Sequence, residues 1–216
     1  MKLARLHHKS PLREPIWHVQ LAVIAAILLQ MSINHHLAVG PKYAVAGFEA
    51  LLLISLAVVR PGVHSNSARL RLRRLLAVLL IALVSIANLG SLLLVLHALL
   101  YGGQVSGRDL LTSGVAIYLT NIIIFGLWYW ELDNVDDNER DFLFPQMTAP
   151  ESATHQPNWQ PAFFDYLYVS ITNGSAFSPT DTMPLTHRIK FLMTAQSLIS
   201  LATVVLVTAR AVNILV

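Results

Sequence analysis

Four stretches of this 216-residue chain contain no Asp, Glu, Lys or Arg and are long enough to cross a membrane as helices: 16–33, 75–100, 110–130 and 191–209. Such a helix needs about 20 mostly apolar residues to span a hydrocarbon core roughly 30 Å thick. A fifth apolar stretch, 43–59, is shorter, contains Glu49 and ends at Arg60-Pro61. The sequence therefore predicts an all-α integral membrane protein of about five transmembrane helices.

The composition excludes several classes of function. Only 12% of the residues are charged, about half of the share in an average soluble domain. The chain has no cysteine, which excludes disulfides, thiolate metal sites and cysteine nucleophiles. The sequence contains no phosphate-binding loop, zinc-ligand spacing or Ser-His-Asp arrangement. We expect no enzyme activity, no catalytic or metal-binding residues and no cofactor.

Most of the basic residues form two groups, one before the first span and one between the second and third: Lys2, Arg5, Lys9 and Arg13, and then Arg60, Arg69, Arg71, Arg73 and Arg74. Lys and Arg beside spans mark cytoplasmic loops and contact lipid headgroups. Two spans separate the groups, so both can lie inside the cell. We predict a multi-pass protein of the cell (inner) membrane with a cytoplasmic N-terminus, whose partner is the lipid bilayer and not nucleic acid.

An acidic connector follows the fourth span. Its acids are Glu131, Asp133, Asp136, Asp137, Glu139 and Asp141. They lack the glycine and the final glutamate of a calcium-binding loop. We interpret them as a solvated loop, or as a vestibule that attracts cations.

A short apolar segment, 163–173, comes after the connector. As a helix it rises about 16 Å, which is half of a membrane. Asp165 would lie in its first turn, where an anion suits the helix dipole. Gly174, Pro179 and Pro184 then prevent the helix from continuing. This pattern predicts a re-entrant half-helix followed by an irregular loop, although an amphipathic surface helix and a polar loop fit the same residues.

Residues 169–186, VSITNGSAFSPTDTMPLT, resemble the pore loop of potassium channels. Ser170 and Thr172 match the end of the pore helix, and Asp181 matches the acidic residue after the filter. Pro184-Leu185-Thr186 matches the filter exit. The resemblance implies outer, pore and inner helices within residues 109–216, preceded by a three-helix membrane region in residues 1–108. The same pattern equally resembles an uncharacterised family of bacterial predicted membrane proteins.

The filter of the potassium-channel family falls on residues 176–180 and differs here. Ser178 and Thr180 replace two glycines whose backbone freedom the filter requires, and Pro179 fixes φ at about −65°. The stacked carbonyls that select potassium therefore cannot form. On the last span, Gln196 stands where an acidic residue often supports the filter, and Ser200 stands where a glycine hinge is common.

The resemblance implies an ion pathway with a non-potassium filter. Hydroxyl and carboxylate oxygens suit hard cations, and Phe177 would form an apolar constriction. The predicted pathway comprises Thr172, Asn173, Ser175, Ala176, Phe177, Ser178, Pro179, Thr180 and Asp181, with Gln196, Ser200 and Arg210 on the inner helix or at its gate. One loop per chain implies a homo-oligomer, taken as a tetramer, that passes or binds monovalent or other inorganic cations. The alternatives are a non-conducting structural or regulatory membrane protein and a small ion-coupled transporter.

The side from which the loop enters has two interpretations. In potassium channels it enters from outside. Counting five spans from a cytoplasmic N-terminus instead places the acidic connector inside, so that the loop enters from the cytoplasm, as in glutamate-receptor channels. The potassium-channel orientation would place five arginines outside, against the charge rule.

Glu49 is the one acidic residue within a predicted span. An intramembrane carboxylate is a functional candidate by default. It would bind or relay a cation, pair with Arg210, or reach water near the end of its span. Asn88 and Asn121 are interpreted as hydrogen-bonding residues that link helices.

Overall fold

The computed structural model of the protein describes residues 17–58, 67–102, 105–133, 140–149, 159–176 and 181–215. Its α-helices are α1 (Trp17–Ser32), α2 (Lys42–Val58), α3 (Ser67–Tyr101), α4 (Gly107–Asp133), α5 (Pro145–Thr148), α6 (Phe163–Ser175) and α7 (His187–Leu215). A 3-10 turn, His35–Leu37, connects α1 and α2. Two short strands, β1 (Phe142–Leu143) and β2 (Met183–Pro184), pair antiparallel. The fold is mostly helical, and this ladder is an element that the all-α prediction omits.

Three helices are long and apolar enough to cross a membrane: Arg71–Tyr101, Gly107–Asp133 and His187–Val212. Each helix extends beyond its charge-free stretch. Arginine is a good helix former, so the arginines before the apolar part of α3 continue the same helix. α1 and α2 lie close to their predicted limits but have only 16 and 17 residues, or about 25 Å of helix each.

α4 is the central helix of the described residues. In its apolar segment 67% of the residues are buried, against 22% in the apolar segment of α7. α4 packs against α1, α3, α6 and α7. Small residues permit this close packing: at Gly126, an added Cβ would lie 3.2 Å from the Cα of Leu167 on α6.

Two apolar clusters establish which helix ends lie together. The first joins the early part of α1 and the middle of α3 to the late part of α4, and includes Val19, Val23, Leu80, Ile81, Ile124 and Leu127. The second joins the opposite ends of the same helices, and includes Ile33, Leu92, Val95, Leu110 and Ile117. α1 and α3 therefore run antiparallel to α4, and the arginine-rich start of α3 lies toward the Asp133 end of α4.

α6 and α7 also run antiparallel to α4, and both begin near Asp133. Along α6, hydrogen bonds join Tyr166 to Asp133, Ser170 to Ile122 and Gly174 to Tyr118. Along α7, contacts join Gln196 to Tyr129, Ser200 to Asn121 and Arg210 to Gly107. α6 therefore reaches the middle of α4, and the chain between α6 and α7 returns to the end from which α6 started.

Replacing Gly126 by Ala should destabilise the protein, because the new Cβ would press on the backbone of α6. Overpacking of this kind costs about 1–3 kcal/mol, so we expect a lower midpoint of thermal unfolding in detergent. Gly47→Ala on α2 is the matched control, since nothing lies within 4 Å of a Cβ built there. That control should be neutral or stabilising. Equal losses in both variants would contradict the close packing of α4 against α6.

Candidate functional site

Buried polar side chains gather where α4, α6 and α7 meet. Gln196 on α7 has no exposed surface, and the same is true of Ser170 on α6 and Ser200 on α7. Tyr129 on α4 is also fully buried. Such groups are costly to bury unless each finds a hydrogen-bond partner. We call the set Asn121, Tyr129, Ser170, Asn173, Gln196 and Ser200 the Gln196 network.

The amide of Gln196 connects all three helices. Its Nε2 donates to the carbonyl oxygen of Ser170 at 2.9 Å and to the Ser170 hydroxyl at 2.7 Å. Its Oε1 accepts from the Tyr129 hydroxyl at 2.6 Å and from Asn173 Nδ2 at 2.8 Å. A side-chain amide has two donors and two acceptor positions, so Gln196 is fully satisfied. The residue predicted to support the loop therefore contacts the helix that precedes the loop.

Three further contacts determine the position of α6 along α4 and α7. The Ser170 hydroxyl donates to the carbonyl of Ile122 at 2.6 Å, and Asn173 Nδ2 donates to the carbonyl of Met193 at 3.0 Å. A Cβ added to Gly174 would lie 3.2 Å from the hydroxyl oxygen of Ser200. The last turn of α6 is thus held against both α4 and α7.

α6 is amphipathic along its whole length. Tyr166, Ser170 and Asn173 form its buried face, while Phe164, Tyr168 and Ile171 are exposed. Both sets follow helical spacing. At its start, the Asp165 carboxylate accepts a hydrogen bond from the backbone N–H of Ala162 at 2.7 Å, which confirms the predicted first-turn acid. α6 ends at Ser175, two residues beyond the predicted end, so the prediction that Gly174 ends the helix is wrong.

The residues predicted to line an ion pathway occupy different environments. The hydroxyl groups of Thr172 and Ser175 donate to carbonyl groups of α6 itself, and Asn173 belongs to the Gln196 network. Ala176 and Asp181 are exposed. Phe177, Ser178, Pro179 and Thr180 lie outside the described residues.

The acidic connector is not simply solvated, because Asp133 and Asp141 at its two ends are buried. Asp133 Oδ1 accepts from the backbone N–H of Asp141 at 2.6 Å, and Asp133 Oδ2 accepts from the Tyr166 hydroxyl at 2.5 Å. The Arg140 guanidinium lies 3.9 Å from Asp133 Oδ2. For these two acids the expectation of a solvated loop is wrong, while residues 134–139 lie outside the described part of the chain.

Asp141 in turn holds the start of α7. Its carboxylate accepts from Arg188 Nε at 2.8 Å, from Arg188 Nη2 at 2.5 Å and from the Thr186 hydroxyl. Its backbone carbonyl accepts from the N–H of Leu185 at 2.8 Å. We call Asp133, Asp141, Tyr166, Thr186 and Arg188 the Asp141 cluster. It joins the connector, α6 and α7 at one point.

The Asp141 cluster was not predicted from the sequence, although one signal was present. Arg188 lies in the first turn of α7, where the helix dipole disfavours a positive charge. A cation at that position is therefore a reason to expect a carboxylate partner. The identity of that partner depends on the fold, because Asp141 lies 47 residues earlier in the chain.

The other predicted residues lie apart from this region or at its edge. Glu49 is buried on α2, and within the described residues no contact joins it to Arg210. The Arg210 guanidinium packs over Gly107 at the start of α4. Asn88 donates to the carbonyl of Ile117 at 3.3 Å, and Asn121 donates to the Ser200 hydroxyl at 3.0 Å. Both asparagines therefore link helices, as predicted.

No family of known proteins, no curated protein and no solved structure matches this chain.

Replacing Gln196 by Leu should strongly destabilise the protein. It would leave the Tyr129 hydroxyl without its acceptor, at a cost of about 1–3 kcal/mol, and would remove three more buried hydrogen bonds, one from the Asn173 amide and two to Ser170, each worth about 0.5–1.5 kcal/mol. We expect a total loss of roughly 3 kcal/mol or more in chemical unfolding. Thr194→Ala is the control, because its exposed hydroxyl donates to a carbonyl of its own helix. A loss no larger than in this control would show that the network does not stabilise the fold.

Replacing Arg188 by Gln should loosen the connector. The buried Asp141 carboxylate would lose two charged hydrogen bonds, each worth about 1.5–3 kcal/mol. We expect faster proteolysis between residues 133 and 149 and a lower unfolding midpoint. Lys190→Gln removes the same charge two residues later, at an exposed position. Equal proteolysis rates and unfolding midpoints in the two variants would mean that the loss of positive charge, and not the loss of the contact with Asp141, loosens the connector.

Proposed function

We propose that this protein is an integral membrane protein whose residues 109–216 form a channel-like pore region that passes or binds inorganic cations. The observation that carries the proposal is the path of the chain around α6. This helix begins at the Asp133 end of α4 and ends beside Tyr118, and the chain then returns to pair β2 with β1 at the starting end. In a bilayer, such a path corresponds to a re-entrant half-helix and loop.

The buried polar contacts support this placement. Non-helical backbone is tolerated at membrane depth only where it faces protein or a water-filled cavity. The Gln196 network supplies protein partners at the tip of α6, and the Asp141 cluster supplies them at its base. The end of α6 carries the negative pole of the helix dipole, and Asp181 adds a carboxylate after it. Both features favour a cation.

The packing supports a pathway between copies of the chain. Within the described residues, the contact region of α4, α6 and α7 is filled by the satisfied Gln196 network. The apolar face of α6, with Phe164, Tyr168 and Ile171, is exposed and would contact lipid or another copy. Since one chain contributes one loop, we propose a homo-oligomer with four subunits.

The proposed topology has five membrane helices, α1, α2, α3, α4 and α7, in addition to α6. α1 and α2 are short and would need flanking residues or local thinning of the bilayer. Arg69, Arg71, Arg73 and Arg74 at the start of α3 lie toward the same end as the connector. By the charge rule this end is cytoplasmic, so the loop would enter from the cytoplasm.

Two other functions compete with this proposal. A non-conducting structural or regulatory role is favoured by the sequence of the loop, since Pro179 and the missing filter glycines exclude the potassium-selective carbonyl stack. An ion-coupled transporter is favoured by the buried acid Glu49 on α2.

Cation flux into liposomes that contain the purified protein tests the proposal. Asp181→Asn should reduce flux by removing a charge beside the loop, and Phe177→Ala should increase it by widening the proposed constriction. Asp109→Asn, at the opposite end of α4, is the matched control, because Asn can still accept the hydrogen bond from the Ser106 hydroxyl. Flux should remain at the wild-type level in this control.

Two results would overturn the channel proposal. Identical, ion-independent leakage in all variants would leave a non-conducting role. A purified protein that remains monomeric in lipid would exclude a central pore between copies.

A further inference from the structure

Glu49 lies at the midpoint of α2 with no exposed surface. Neither of its carboxylate oxygens has a hydrogen-bond partner within the described residues. Ala46 and Leu52, three residues away on either side, belong to the apolar cluster formed with α1 and α3. Because positions three apart share a helix face, Glu49 points toward the interior of α1–α3.

The surroundings of Glu49 offer no charge compensation in the described part of the chain. The titratable residues on the helices that pack against α2 are His18 on α1 and Arg69, Arg71, Arg73, Arg74, His97 and Tyr101 on α3. None of them forms a hydrogen bond or ion pair with Glu49. On α2 itself, Lys42 and Tyr43 lie at the start of the helix, about two helical turns away. An isolated ionised carboxylate is costly in an apolar interior, and burial of this kind favours the neutral acid.

A proton is the ligand that this environment fits best. A metal ion such as calcium would need about 6–8 oxygen ligands, and one carboxylate cannot supply them. Groups of three or more His, Cys, Asp or Glu side chains do not occur among the described residues. A proton needs no ligand besides the carboxylate itself.

A small cavity lies one helical turn from Glu49. Val45 and Ala46 of α2 line it, together with the polar side chains of Gln30 on α1 and Ser91 on α3. It extends toward Ala38 and Val39, just after the 3-10 turn. The cavity therefore places the polar side chains of Gln30 and Ser91 between Glu49 and the 3-10 turn.

We propose that Glu49 is a proton-binding site in the N-terminal helices, held as a carboxylic acid between α1, α2 and α3. The site is separate from α6 and its loop. Its failure would leave the channel proposal intact, and its success would not require ion flux.

Modification with dicyclohexylcarbodiimide, an apolar reagent, tests this site on the full chain in lipid nanodiscs. The protonated carboxyl adds across one C=N bond to give an O-acylisourea, which rearranges to a stable N-acylurea without a leaving group. We expect one adduct, mapped by mass spectrometry to Glu49 and lost in Glu49→Gln. Glu131→Gln is the control and should retain the adduct. A water-soluble carbodiimide should leave Glu49 unmodified.

An infrared difference spectrum between wild type and Glu49→Gln gives an independent measurement that needs no reagent. We expect the variant to lose a carboxylic-acid C=O band. Loss of carboxylate bands instead would overturn the proposal, as would modification of Glu49 by the water-soluble reagent or its resistance to the apolar one. If Glu49→Gln does not fold, mapping the adduct in the wild-type protein still decides the question.

Discussion

The side-chain amide of Gln196 joins three helices that are distant in sequence, and the position of α6 depends on it. Both its nitrogen and its oxygen are engaged, so no hydrogen-bonding capacity is left for water or for a different arrangement. In a buried site the alternative to these bonds is an unsatisfied polar group. The network therefore stabilises the packing of α4, α6 and α7 and fixes the position of α6 along α4.

The Asp141 cluster has the complementary role at the other end of α6. Asp133 binds the first residues after the connector and the Tyr166 hydroxyl, while Asp141 binds the first turn of α7. Asp133 and Asp141, which the sequence assigns to a solvated loop, therefore stabilise the structure at the two ends of that loop. The tip of α6 is thus held by Gln196, and its base is held by Asp133.

This arrangement separates two regions of different chemistry. Residues 109–216 contain a short helix whose C-terminal end and following acid favour cations, which is the basis of the proposed pore region. The N-terminal helices contain a buried carboxyl in an apolar environment, which is the basis of the proposed proton site. α4 belongs to the second region and also packs against α1 and α3 of the first.

The pattern of charge-free stretches was sufficient to predict the long helices, and the short apolar segment that begins at Phe163 was sufficient to predict α6. These features depend on the apolar character and the backbone preferences of neighbouring residues, and both can be read from the sequence. The side-chain partners of Gln196, Asp141 and Arg188 could not be predicted, since these side-chain hydrogen bonds join residues 23 to 67 positions apart. Burial is likewise a property of the packed chain: nothing in the sequence around Asp133 marks it as buried, and it becomes an interior residue through its hydrogen bonds with the Tyr166 hydroxyl and with the backbone at the start of β1.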